Sequence, residues 1–182
     1  MSKYEDIYEA VADNYGLVTR DEAVAMGVSD KELSRLTSHG KLTRIGHGVY
    51  RVKHHVPSPF DPFAESVAAV GPDAYLYGES VLAMFSLCPT NPTKMFVATP
   101  KRVRRKLPEG MKVVQRKGAS DVTCYEGIPS QEVGAAIRSC IGKLMPERLH
   151  AAVEEALRQG LLKKEEADRV DLSLIHISSP RD

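Results

Sequence analysis

Two stretches of the chain gather side chains able to grip a polyanion. Between Glu32 and Asp61 there is no carboxylate, while Arg35, Lys41, Arg44, Arg51 and Lys53 accumulate with His39, His47, His54 and His55. From Lys101 to Lys117, Lys101, Arg102, Arg104, Arg105, Lys106, Lys112, Arg116 and Lys117 face the single acid Glu109. The formal net charge of +1 conceals both runs because the rest of the chain is richer in acid. Such asymmetry points to a phosphate-bearing partner more than to any fold. Catalysis has less to draw on. Gly78-Glu79-Ser80 is superficially like the glycine-serine opening of nucleotidyltransferases, but the paired carboxylates that would hold metal are missing, since no acid follows before Glu109. The stretch "MFVATPK" brings Lys101 without an acid, so a metal-nuclease pair fails too. His54 and His55 are adjacent on a linker, point apart and read as polar surface. Cys88, Cys124 and Cys140 lack CxxC spacing or a nearby His and read as core thiols. No nucleophile elbow occurs. The expectation is therefore no catalytic residue, no metal site and no cofactor.

The elements that must position the first basic run come next. Ile7, Tyr8, Val11 and Tyr15 stand at helical spacing over Tyr4 to Tyr15, with Gly16 as a stop. "TRDE" and "SDKE" are capping boxes, Thr19 with Glu22 and Ser29 with Glu32, so short helices begin near Arg20 and Asp30 and end at Gly27 and Gly40. The turn "MGVS" between them gives a helix-turn-helix. On the helix from Asp30 to His39, Leu33 and Leu36 point inward. Lys31, Ser34, Arg35 and Ser38 then fall at i, i+3, i+4, i+7 on the other face. A polar, cationic stripe of this kind suits the major groove, where Arg grips a guanine edge or a phosphate. Any small surface helix carries a solvated polar face, so the stripe alone does not decide.

The hairpin after it does. "KLTRI" and "VYRV" alternate, with Leu42 and Val49 or Tyr50 toward the core and Thr43, Arg44 and Arg51 outward, and "GHG" permits the turn. Three helices and then a basic-tipped hairpin is the order of a winged helix. Its candidate DNA contacts are Ser29, Lys31, Ser34, Arg35, Ser38, Lys41, Arg44, His47, Arg51 and Lys53. Lys101, Arg102, Arg104, Arg105 and Lys106 form a possible second basic patch, which would extend a DNA footprint, meet an acidic partner, or serve only as a solvated loop.

The stretch "YGLVTRDEAVAMGVSDKELSRLTSHGKLTRIGHGVYRV" resembles the N-terminal winged-helix domain of abortive-infection type IV antitoxins, the AbiEi-like proteins. Gly16, Thr19, Leu36, Gly40, Leu42, Arg44, Gly48, Val49 and Tyr50 stand where that pattern expects them. Gly78 to Leu87, the "FVATPKRVRR" segment and "GIP" are similar to the family's C-terminal region, although "IPSQEVGAAIRSC" lacks the arginine and second threonine of relatives. The resemblance implies a second domain opposing a nucleotidyltransferase-like toxin, and a winged helix that represses their shared promoter.

The proline-rich "HHVPSPFDP" marks a boundary. Beyond it, "DPFAESVAAVG" reads as a helix, "AYLYGESVLAMFSL" as a strand or turn into a helix, and "KMFVATP" as a buried strand. "MKVVQRKG" and "VTCYEGIPSQE" read as extended, and Ser130 to Ile141, Arg148 to Gln159 and "LLKKEEADRV" as helices. The chain is thus expected to be α+β. A winged helix-turn-helix domain spans 1–55, a proline-rich linker 56–62, a mixed α/β antitoxin-like domain 63–171, and a tail 172–182 that breaks the preceding helical polarity and reads as non-native. The start lacks a signal-peptide layout and no stretch is apolar enough for a bilayer, so a soluble, cytoplasmic protein with no membrane partner is expected. The expected function is a non-enzymatic, DNA-binding antitoxin and autorepressor. Its expected partners are the double-stranded DNA of its own promoter and the toxin, contact with which is left open. The alternatives are a winged-helix regulator whose second domain senses a ligand or mediates oligomerisation, and a nuclease fused to a winged helix, disfavoured for want of carboxylates.

Overall fold

The computed structural model describes residues 2–90 and 92–178. The chain is α+β. Its first region opens with α1 (Lys3–Ala10), started by a capping box at Ser2, whose hydroxyl accepts from Glu5 N–H while the Glu5 carboxylate accepts from Ser2 N–H. The helix stops at Ala10 instead of running to Tyr15. Tyr15 and Gly16 take φ of 55° and 67°, which reverses the chain into strand β1 (Leu17–Thr19). The sequence reading missed β1, because three residues are too few to show alternation. Helices α2 (Arg20–Ala25) and α3 (Asp30–Ser38) begin at the capping boxes of Thr19 and Ser29, in which Glu22 and Glu32 accept the cap residues' N–H groups at 2.8 Å. Strands β2 (Leu42–Gly46) and β3 (Val49–Val52) follow as the hairpin, with Leu42 opposite Val52 and an irregularity between Arg44 and Gly46. Strand order is β1-β3-β2, so the expected two-stranded wing is a three-stranded sheet.

Successive side chains of a strand face opposite ways, and here the two faces of this sheet serve two cores. Val18, Leu42 and Val52 pack with Ile7, Ala23, Val28, Leu33 and Leu36, beside the partly buried Tyr50. Leu17 and Val49 turn the other way and join Ala64, Val67 and Val70 of α4 (Asp61–Val70). Burying each of the valine, leucine and isoleucine side chains here is worth about 1.5–3 kcal/mol relative to leaving it in water. The back of the wing, read as solvent-facing, is therefore covered. The Tyr15 hydroxyl adds a polar tie by donating to the Glu126 carbonyl.

The larger sheet has the order β6-β5-β4-β8-β7, from β4 (Tyr75–Leu76), β5 (Met95–Thr99), β6 (Met111–Gln115), β7 (Val122–Tyr125) and β8 (Ile128–Gln131). It is mixed, with β4/β8 and β5/β6 parallel and β4/β5 and β7/β8 antiparallel. Helix α4 packs on β4, β5 and β8. Helix α5 (Glu79–Met84) lies against β5 and α6 (Val133–Ser139), which in turn meets α7 (Pro146–Arg158) and α8 (Lys164–Ser178). The expected helix from Ser130 begins three residues later. Ser130 and Gln131 are fully enclosed in β8, with Ser130 paired to Leu76 and Gln131 Oε1 accepting from Gly78 N–H at 3.1 Å. Helix α8 outruns "LLKKEEADRV", with Leu174 buried, and positions 179–182 of the expected tail lie outside the described residues. Of the cysteines read as core thiols, Cys88 and Cys140 are buried but Cys124 is exposed.

Candidate nucleic-acid interface

The exposed face of α3 is built by its surroundings. Arg20, at the start of α2, donates from Nε and Nη2 to both carboxylate oxygens of Asp30 at 2.7 Å, clamping the starts of the two helices together. That hydrogen bond holds the Asp30 carboxyl below its usual range. Lys3 Nζ donates to the Gly27 carbonyl at 2.7 Å and fixes the turn between them. Glu32 is occupied in its cap, where the Ser29 N–H lowers its pKa. Both acids of α3 are thus engaged at its first turn. On the outward face Lys31, Ser34 and Arg35 are exposed, and their side chains have no hydrogen-bond or ion-pair partner among the described residues.

Two other predicted contacts on this element are exposed but engaged. The Ser29 hydroxyl caps the helix and donates to Glu32 at 3.0 Å. Ser38 Oγ turns back to the Arg35 carbonyl at 2.9 Å. Along the hairpin, Lys41 is exposed with Nζ 5.2 Å from the Tyr4 ring centroid, and Arg44 is exposed with Nε on its own strand's Gly46 carbonyl at 3.2 Å. Lys53 and His47 are exposed and unpartnered among the described residues. Lys41 and Lys53 are neighbours, joined by the Lys53 N–H to Lys41 carbonyl bond of 3.0 Å, next to the C-terminus of α3.

Arg51 is the correction. It was read as outward-facing, but β3 places it on the same side as Val49, under α4. Its side chain is 17% exposed, Nη1 is paired with Glu65, and Nε donates to the Tyr15 carbonyl at 3.2 Å. It fastens the wing to α4. His55, read as polar surface, is likewise turned in. Its Nε2 lies 3.0 and 2.9 Å from the two Asp61 oxygens and its ring rests on Gly16, whereas His54 is exposed.

The second basic run divides in the same way. Lys101 pairs with Asp73 at 2.7 Å, and Arg105 donates at 2.6 Å to both the Ala69 and Val70 carbonyls, closing the C-terminus of α4. Arg116 binds Asp121 through both nitrogens at 2.9 and 3.0 Å and the Tyr75 hydroxyl at 3.0 Å. Burial would raise the Asp121 carboxyl, but hydrogen bonds from Arg116 and from Gln131 outweigh it and hold the pKa below the usual value. Arg102, Arg104 and Lys106 remain exposed without partners among the described residues. Arg102 and Arg104 share a cleft with His47 at the wing tip, so the fold brings part of this run beside the hairpin.

Sequence reasoning missed Arg20 and Glu65 as positioning residues. Arg20 opening one capped helix and Asp30 opening the next was a readable signal, whereas nothing local connects Arg51 with Glu65. Among the described residues no helix is long and apolar enough to cross a membrane, and no group of three His, Cys, Asp or Glu side chains could hold a metal ion.

Comparison with known proteins bears on the same region. No curated protein matches the chain. Among solved structures, the crystal structure of the RV2827C protein from Mycobacterium tuberculosis aligns over 95% of this chain and 82% of its own, at 13% identity and a TM-score of 0.47. Residues 5–53 match the family described as "Transcriptional regulator, AbiEi antitoxin", the stretch that folds here into the capped helices and the three-stranded wing. Through these residues the chain is similar to the N-terminal domain of the AbiEi antitoxin family of transcriptional regulators.

Proposed function

We propose that the chain is a DNA-binding antitoxin and autorepressor that reads its own promoter through α3 and the wing and opposes a nucleotidyltransferase-like toxin. The observation that carries the DNA reading is the α3 face. Lys31, Ser34 and Arg35 stand exposed and unpartnered, while Asp30 and Glu32 are held away in a clamp and a cap. A helix presented this way can enter a major groove, with Arg35 donating to a guanine edge or a phosphate and Lys31 neutralising a phosphate. Lys41, Arg44, His47 and Lys53 on the adjacent hairpin would meet flanking phosphates or the minor groove. Arg51 takes a different part. By holding β3 against α4 it sets the angle at which the hairpin meets the duplex, without touching DNA itself.

A mobility-shift series on the DNA upstream of the chain's own reading frame tests this. The combined Arg35→Ala and Arg44→Ala variant should bind at least about tenfold more weakly, the range lost with one or two charge-assisted contacts. Unchanged affinity would remove these residues from the interface. For the toxin, co-expression with an adjacent nucleotidyltransferase-like gene should restore growth, and an isolated gene without such a neighbour would count against the antitoxin role.

A further inference from the structure

A cleft of about 900 Å³ lies between the wing tip and the second region. This is the size of a small-molecule site, and domain junctions are where such sites concentrate. Its floor is apolar, from Leu17, Val67, Val70 and Ile128. Its rim carries the loop after β5, and that loop is anchored at both ends, Lys101 to Asp73 and Arg105 to the two last carbonyls of α4. Val103 of this loop packs against the core, while Arg102 and Arg104 on either side of it are exposed. Both line the cleft, both lack a partner among the described residues, and His47 on the wing tip lines it too. The flanking cations hold the loop and the middle two are left for something else.

We propose that this cleft binds a small phosphorylated molecule with an aromatic or apolar body, of nucleotide size. Arg102 and Arg104 take the phosphate, the floor takes the body, and occupancy sets the position of the wing tip. Guanidinium forks suit phosphate oxygens, and a buried floor favours a ligand that is more than a bare anion. Part of the proposal, its effect on DNA, rests on the DNA reading above, because a ligand that reorients His47 and the wing must change operator affinity if the wing touches DNA.

Calorimetric titration of the full chain with ATP, AMP and inorganic phosphate tests it. AMP or ATP should bind at least about tenfold more tightly than inorganic phosphate, and the Arg102→Gln plus Arg104→Gln variant should lose about tenfold or more of that affinity. Arg35→Ala, on α3, should leave it unchanged. An absence of nucleotide binding below about 1 mM, an unaffected double variant, or an equal loss in Arg35→Ala would overturn the site. The same probe added to the mobility-shift series should change operator affinity. Probe binding without any DNA binding would keep the cleft and sink the DNA reading, and probe binding that leaves operator affinity unchanged would sink the coupling.

Discussion

Replacing Arg51 by alanine should destabilise the fold while leaving the cationic face of α3 as it is. The guanidinium joins three elements: β3 that bears it, Glu65 of α4, and the Tyr15 carbonyl ahead of β1. Removing one partner of a fully buried ion pair costs about 3–5 kcal/mol, and an exposed pair is worth about 0–1. With side-chain exposures of 17% for Arg51 and 36% for Glu65, this pair falls between the two. The Tyr15 bond adds about 1 kcal/mol. Against that, Nη2 of Arg51 is buried without a partner, so truncation also relieves a desolvation cost. The net expectation is a loss of about 2 kcal/mol, of which about 1 kcal/mol should appear as coupling with Glu65→Ala in a double-mutant cycle. Urea unfolding of Arg51→Ala, Glu65→Ala, the double variant and Arg44→Ala would measure it, the last being a solvent-facing control within about 0.5 kcal/mol of the parent. If Arg51→Ala matched Arg44→Ala and the coupling were zero, the wing would not be held as described.

Gly16 and Gly40 make a paired test. Both have positive φ, but a Cβ on Gly16 would meet His55 Cβ at 2.9 Å, whereas nothing lies within 4 Å of one on Gly40. Gly16→Ala should cost about 2–4 kcal/mol and Gly40→Ala about 1–2, compared by urea midpoints. Asp121 predicts a pH dependence. Because its folded pKa is depressed, its contribution is complete above the ordinary aspartate range and is lost as pH falls below about 4. The stability gap between the parent and Asp121→Asn should therefore be widest near neutrality and close toward pH 3. Thiol labelling with Ellman's reagent should modify Cys124 at once in the native protein. Cys88 and Cys140 should react only after unfolding, since both are buried and burial pushes the Cys140 thiol up to about 12.

What was legible in the sequence is what local chemistry determines. The capping boxes of Thr19 and Ser29 fix where α2 and α3 start, and the spacing of Leu33 and Leu36 fixes which face of α3 is free. The stripe of Lys31, Ser34 and Arg35 follows from those two facts alone. What was not legible depends on partners far along the chain. β1 is a strand only because β3 lies beside it, and Arg51 points inward only because α4 covers that side of the sheet. In "IPSQE" the small polar residues imitate a helix start, yet Ser130 and Gln131 are held extended by Leu76, Thr123 and Gly78. The basic loop shows the same limit. Composition marks all of Lys101, Arg102, Arg104 and Arg105 as one patch, and only the positions of Asp73 and the end of α4 separate the two that anchor it from the two left without a partner among the described residues.

The most direct test of the central claim is the salt dependence of operator binding. The logarithm of affinity against the logarithm of salt concentration should be a steep line for the parent. Its slope should become shallower by about one for each phosphate contact removed in Arg35→Ala and Lys53→Ala. An identical slope for the parent, Arg35→Ala and Lys53→Ala would contradict the assignment of α3 and the wing as the DNA-reading surface.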